Sequence, residues 1–185
     1  MSDLKGIRVA ILATDGVEQA ELIEPRKFLE QLGVQTTLLS PKSEQIQAMQ
    51  HDEKADKIPA EGPIEAANSQ DYDAVLLPGG ALNADKLRMN EEARRFVREM
   101  DRAKKPLAVI CHAPWLLISA GLVKGRRMTS YYTIQDDVRN AGADWKDEEV
   151  VRDQNWVSSR QPSDIQAFNR AIAELLTAAR SKQAA

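Results

Sequence analysis

The strongest constraint on the fold is a recurrence of apolar segments too short for helices and too continuous for a sheet with one wet face. Ala74-Val75-Leu76-Leu77 and Leu107-Ala108-Val109-Ile110 contain no polar residue, and Ile7 to Ala13 is broken only by Arg8. Such runs suit strands buried on both sides. Val34 to Leu39 reads as another strand, with β-branched Val34, Thr36 and Thr37. Amphipathic stretches alternate with these runs. Val17 to Leu32 predicts a helix with apolar Val17, Leu22, Phe28, Leu29 and Leu32, closed by Gly33. Glu91 to Ala103 predicts a second, with Ala93, Phe96, Val97 and Met100 on one side. The alternation implies an α/β fold: a mostly parallel sheet between two layers of helices.

Other segments are less decisive. Ile46 to Ile58 is polar and fits either a short hairpin or an edge excursion. Ala81 to Arg88 reads as a loop. Beyond Gly125, Arg127 to Tyr131 is a candidate strand, Gln135 to Ala141 a short helix, and Val150-Val151 and Trp156-Val157 two further strands. Pro162 to Arg180 is a closing helix, and Ser181 to Ala185 reads as a frayed tail. No repeat or linker interrupts the 185 residues, so one domain is expected. The net charge of −3 gives no reason to expect nucleic acid or an anionic membrane as partner. No apolar run approaches the length of a membrane span. Met1 to Gly6 lacks the apolar core of a secretory signal. One cysteine excludes an internal disulfide, and a reducing cytoplasm is the expected compartment. Two histidines, His51 and His112, beside one cysteine argue against a dedicated zinc site, and no cofactor is expected.

The single cysteine, Cys111, follows the run Leu107 to Ile110 and precedes Ala113-Pro114, where Trp115 to Ala120 opens as a helix ending at Gly121. A free cysteine is commonly a small buried hydrophobe. At a strand-to-helix turn its sulfur is instead held out at the carboxyl end of the sheet. There a helix amino end lowers thiol pKa and offers N–H groups to an anion.

In an open α/β sheet, ligands gather outside the carboxyl ends of the strands. The loop after Ala13 brings Glu18 and Glu21, three residues apart and so on one helix face. Glu18 reads either as a solvated first-turn acid or as a pocket acid. Glu21, among Ala20, Leu22 and Ile23, reads as partly buried, with a raised pKa and a proton to share with the sulfur. Gly79 and Gly80 let backbone N–H groups approach a ligand, and Gly80 with His112 could supply two N–H groups to an oxyanion. The His112 side chain need not touch the neighbouring sulfur, and a helix-start hydrogen bond is its ordinary role. His51 reads as a surface residue.

Taken together, Ala20-Glu21-Leu22-Ile23, Leu76-Leu77-Pro78-Gly79-Gly80, Ile110-Cys111-His112-Ala113-Pro114, Thr129-Ser130-Tyr131, Asp136 to Gly142 and Asn155 to Arg160 resemble the PfpI/ThiJ family. Within it they look like the branch of the PfpI intracellular protease and YhbO-like stress proteins. The resemblance runs over about residues 7 to 176. It implies a flavodoxin-like three-layer sandwich akin to class I glutamine amidotransferases. It implies Cys111 as nucleophile, Glu21 hydrogen-bonded to its sulfur, Glu18 as a second pocket acid, and Gly80 and His112 at the oxyanion hole. It further implies that His112 pairs with an acid from a neighbouring subunit. That acid aligns with Asp85, one methylene shorter than the usual glutamate and on a segment one residue longer. A homodimer, and by the archaeal pattern a hexamer, is the implied assembly.

Two readings of function follow. The first is a stress-response cysteine hydrolase acting on glyoxal or methylglyoxal adducts, small carbonyl compounds or, less favourably, peptides. The second is a redox sensor or protective protein in which Cys111 is oxidised without turnover. Glutaminase chemistry is disfavoured, because it uses a histidine far downstream and none follows His112.

Overall fold

The structure, a computed structural model, describes residues 4–42 and 44–183. The first half comprises β1 (Arg8–Leu12), β2 (Val17–Glu18), α1 (Gln19–Gln31), β3 (Gln35–Ser40), β4 (Gln45–Gln50), β5 (Glu53–Pro59), β6 (Gly62–Pro63) and β7 (Ala74–Leu77). Next come α2 (Ala81–Met89), α3 (Glu91–Arg102), β8 (Leu107–Ile110), α4 (Pro114–Ser119), β9 (Arg127–Met128) and α5 (Gln135–Asn140). The chain closes with β10 (Asp144–Trp145), β11 (Val150–Asp153), β12 (Trp156–Ser159) and α6 (Ile165–Gln183).

Seven strands form the central sheet in the order β11-β12-β8-β7-β1-β3-β6, parallel throughout except for β11 against β12. Successive strand residues point to opposite faces, so both faces of a buried strand must be apolar. Val9, Ile11, Leu76 and Ile110 join Leu22 and Leu29 of α1 and Phe168 and Ile172 of α6. Ala10, Leu12, Leu77 and Val109 join Phe96 and Val97 of α3 and Leu116 and Leu117 of α4 on the other side. This is the three-layer arrangement that the alternation predicts, and the flavodoxin-like sheet that the family resemblance implies. The chain leaves β1 for β3 on one side and later returns to β7 on the other. The loops after β1 and β7 therefore diverge and open a crevice at the carboxyl edge.

Several boundaries differ from the sequence expectations. Ile46 to Ile58 resolves as the β4–β5 hairpin. The first helix starts at Gln19 rather than Val17, because Val17 and Glu18 pair with Ala48 and Met49 of that hairpin. Residues 81–88 are helix, not loop. The inner face of α2 carries Asn83 beside Ala84 and Leu87, so a polar residue occupies a core position and conceals the helical period. The strand expected over Arg127 to Tyr131 shortens to Arg127–Met128. Ser181 to Gln183 lie inside α6, while Ala184 and Ala185, like Met1 to Asp3, fall outside the described residues.

One polar knot ties the far end of the sheet. Asp101 Oδ1 accepts from Arg126 Nη2 at 2.7 Å, Trp156 Nε1 at 2.7 Å and Asn155 Nδ2 at 3.2 Å, and the Arg126 guanidinium lies 4.3 Å from the Trp156 ring centroid. Removing Asp101 leaves the buried Arg126 guanidinium to the longer 4.0 Å ion pair with Asp153. Asp101→Ala is expected to cost about 3 kcal/mol of stability, read from the urea midpoint, with the site chemistry unaffected.

Candidate active site

The turn between β8 and α4 places Cys111 at φ 64°, a left-handed conformation that non-glycine residues rarely adopt. Hydrogen bonds hold it on both sides. Cys111 N–H donates to Ser159 O at the end of β12 (3.1 Å), and Cys111 O accepts from Tyr131 N–H (2.9 Å). The side chain is buried, 7% exposed, and faces the floor of a cleft of about 580 Å³.

Glu21 enters from the first turn of α1 and is fully buried. Its Oε2 accepts from Gly79 N–H at 2.9 Å. Its Oε1 lacks a partner with full hydrogen-bond geometry, but the carboxyl still interacts with the Cys111 thiol. Burial first, and then the nearby Glu18 carboxylate, push Glu21 up to about 8, so it is largely protonated at neutral pH. The sequence expectation of a buried, proton-holding Glu21 agrees with this geometry.

The thiol differs from expectation. Burial pushes Cys111 well up from its ordinary value, and negative charge on Glu21 adds to the rise. The N–H groups of Gly80 and His112 act the other way, and both hydrogen-bond the thiol. The depressed thiol expected from a helix amino end is therefore not found: desolvation and Glu21 outweigh those two donors. Protonating Glu21 removes its repulsion of a thiolate and leaves an O–H available to the sulfur. The two groups titrate as a pair.

Gly79 and Gly80 have steric reasons to be glycine. A Cβ on Gly79 would strike the Glu21 carboxylate and Cys111 Cβ. One on Gly80, at φ +90°, would strike Gly16 O and Glu18 N. Buried Asn83 holds the two loops together: its Oδ1 accepts from Thr14 N–H at 2.8 Å, and its Nδ2 donates to Pro78 O and Gly79 O at 3.0 and 2.9 Å.

His112 is closer to the sulfur than chain adjacency requires, with Nδ1 3.1 Å from Sγ. The ring stacks on Tyr131 at 4.9 Å between centroids and meets Trp115 edge-on at 5.3 Å. Burial lowers its pKa, favouring neutral imidazole. Glu18 lines the cleft, and its Oε2 accepts from His51 N–H at 3.0 Å, fastening the hairpin tip over the opening. His51, read from sequence as a plain surface residue, is exposed but forms part of the cleft wall with Asp52 and Met49. Asp85 sits on the exposed face of α2, rather than on a loop, and does not line the cleft of its own chain. Tyr131 and the hairpin tip are lining residues without an assigned role in the sequence reading. Tyr131 stands in the Thr129-Ser130-Tyr131 motif, whereas the hairpin tip had no periodicity to mark it. Among the described residues no group of three or more His, Cys, Asp or Glu is placed to hold a metal ion. No helix among them is long and apolar enough to cross a membrane.

A flavodoxin-like sheet with a strained cysteine elbow at its carboxyl edge and a buried acid against the thiol defines a recognisable class of α/β protein. The chain belongs to the DJ-1/PfpI family, whose profile matches residues 7–175. It is 42% identical over 170 residues to a deglycase of Pyrococcus abyssi, covering 92% of this chain and 99% of the relative. It is 37% identical over 172 residues to general stress protein 18 of Bacillus subtilis, covering 92% and 98%. Drosophila melanogaster DJ-1beta shares the fold, with a TM-score of 0.82 at 23% identity over 99% of this chain and 98% of that one.

The raised Glu21 carboxyl sets a pH dependence. From about pH 4.5 to 8 the folded chain keeps a proton that the unfolded chain has released, so this residue's contribution to stability falls across that window and levels above it. Glu21→Gln lacks that titration. Urea unfolding at pH 5 and pH 8.5 is expected to show the stability difference moving in favour of the glutamine variant by up to about 4 kcal/mol at the higher pH.

Proposed function

We propose that the protein is a cysteine-dependent hydrolase of small carbonyl adducts, with Cys111 as nucleophile. The observation that carries this reading is the convergence on one buried sulfur of an imidazole nitrogen at 3.1 Å, two backbone N–H groups and a carboxyl that holds its proton. Sulfur adds to an aldehyde carbon, the thiol proton passes through His112 to the new oxygen, and the developing alkoxide rests on the N–H groups of Gly80 and His112. The product is a hemithioacetal, which an amine adduct reaches by expelling its amine together with the thiol proton. With an α-oxoaldehyde, moving the carbinol hydrogen as a proton to the adjacent carbonyl carbon gives a thioester, which water cleaves to a 2-hydroxy acid and the free thiol.

A buried thiol with a raised pKa suits electrophilic aldehydes better than amides. Amide cleavage also requires an acid for the leaving amine, help worth roughly 100-fold or more. The cleft volume, about 580 Å³, fits a small molecule or one modified side chain. Its lining holds Glu18 and Asp52 but no lysine or arginine, which disfavours anionic substrates. Glyoxal- and methylglyoxal-derived adducts are the proposed substrates, in keeping with relatives named deglycases. The stress-protein relative fits a protective role in a reducing compartment such as the cytoplasm. The redox-sensor reading retains an oxidisable Cys111 but loses the low-pKa thiolate on which it relied.

The proposed assembly is a homodimer, with a hexamer as its extension, formed through the outer face of α2. Leu82 and Met89, 56% and 73% exposed, lie within a turn of solvent-facing Asp85 and Lys86 and share a helix face with them. Asp85 of one copy is proposed to reach the His112 side of a neighbouring cleft.

Purified protein is expected to consume methylglyoxal and to release amines from its early adducts, and Cys111→Ser is expected to reduce both rates at least about 100-fold. Turnover retained by the serine variant contradicts the proposal. The same assay across a dilution series with light scattering tests the assembly: activity is expected to fall where the dimer dissociates, and Asp85→Ala to lower it at all concentrations.

A further inference from the structure

We propose that Thr133 is the partner, within the same chain, that holds the His112 imidazole in the tautomer able to take a proton from the Cys111 thiol. The inference rests on the reading of Cys111 as nucleophile, and it makes the Cys111–His112 pair competent before any second copy contributes an acid.

The two ring nitrogens face different groups. Nδ1 lies 3.1 Å from Cys111 Sγ, and Nε2 lies 3.4 Å from Thr133 Oγ1. A neutral imidazole has one N–H, and its position decides the chemistry. With the hydrogen on Nε2, Thr133 Oγ1 accepts it, and the Nδ1 lone pair faces the S–H. With the hydrogen on Nδ1, the ring donates to sulfur and has no lone pair there to take the S–H proton. A hydroxyl has lone pairs to accept and a rotatable hydrogen to turn elsewhere, so it serves the first arrangement. In the reaction the S–H proton moves to Nδ1, while the Nε2 hydrogen stays on Thr133. The result is a thiolate–imidazolium pair, with total charge unchanged and both imidazolium hydrogens satisfied.

Neighbouring rings limit how far the imidazole can turn. Tyr131 covers one face, Trp115 meets its edge, and Trp115 is itself fixed by donation from Nε1 to Asp137 Oδ2 at 2.8 Å. Thr133 stands in the 3-10 turn Tyr132–Ile134, immediately after the residue whose N–H holds Cys111 O. One short segment therefore fixes the carbonyl of the nucleophile and the hydrogen of its base.

The test follows alkylation of Cys111 by iodoacetamide at neutral pH in the full chain, which requires no turnover of any proposed substrate. Thr133→Val, nearly isosteric, is expected to slow alkylation about fivefold, the worth of one neutral hydrogen bond. Thr133→Ser is expected to stay within about twofold of the parent, since the hydroxyl remains. On a His112→Asn background the valine substitution is expected to have no further effect, because its action runs through the imidazole. The proposal is overturned if the valine variant reacts at the parent rate, if serine is as slow as valine, or if the valine effect persists without His112. Failure of the methylglyoxal assay leaves each of these outcomes readable.

Discussion

Everything at the site depends on one buried proton. Glu21 is fully enclosed at the amino end of α1, against a thiol that is itself buried. A charged carboxylate there would be desolvated and would repel a thiolate beside it, so burial favours the protonated carboxyl. With the carboxyl neutral a sulfur anion meets no like charge from it, and the N–H groups of Gly80 and His112 are the donors that favour the anion. The carboxyl contributes no charge and retains a hydrogen that can turn to the sulfur.

The surrounding architecture reads as the means of keeping this arrangement in place. Gly79 is bare because the carboxyl and the cysteine occupy the space a side chain would take. Gly80 is bare because the β2 segment passes against it. Asn83 bonds the loop after β1 to the loop after β7, across the point where the chain reverses direction in the sheet. The strain at Cys111 is tolerated because β12 and the segment after β9 grip its backbone on both sides. A site assembled from six separated segments is thus fixed largely by hydrogen bonds to backbone groups, several of them made by the Asn83 and Glu18 side chains.

The legible part of this design was the part written in periodicity. Ala74–Leu77 and Leu107–Ile110 match their strands residue for residue, because a doubly buried strand admits no polar residue. Glu21 could be singled out by its apolar neighbours, and Cys111 by its place between a strand and Ala113-Pro114. Helix α2 was hidden because Asn83 uses a core position for hydrogen bonding. The roles of His51 and Asp52 were hidden because a hairpin tip folds over the cleft through long-range pairing that no local pattern records. The raised thiol pKa has no signature in the sequence, where helix position is visible and desolvation is not.

The central claim is that Glu21 carries a proton beneath the Cys111 thiol at neutral pH. Infrared spectroscopy can observe that proton directly, as the carbonyl stretch of a buried carboxylic acid in the difference spectrum between the parent and Glu21→Gln. The account predicts a protonated-acid band in the parent at neutral pH that is lost above about pH 8. A spectrum containing only the carboxylate bands of Glu21 at neutral pH would contradict it.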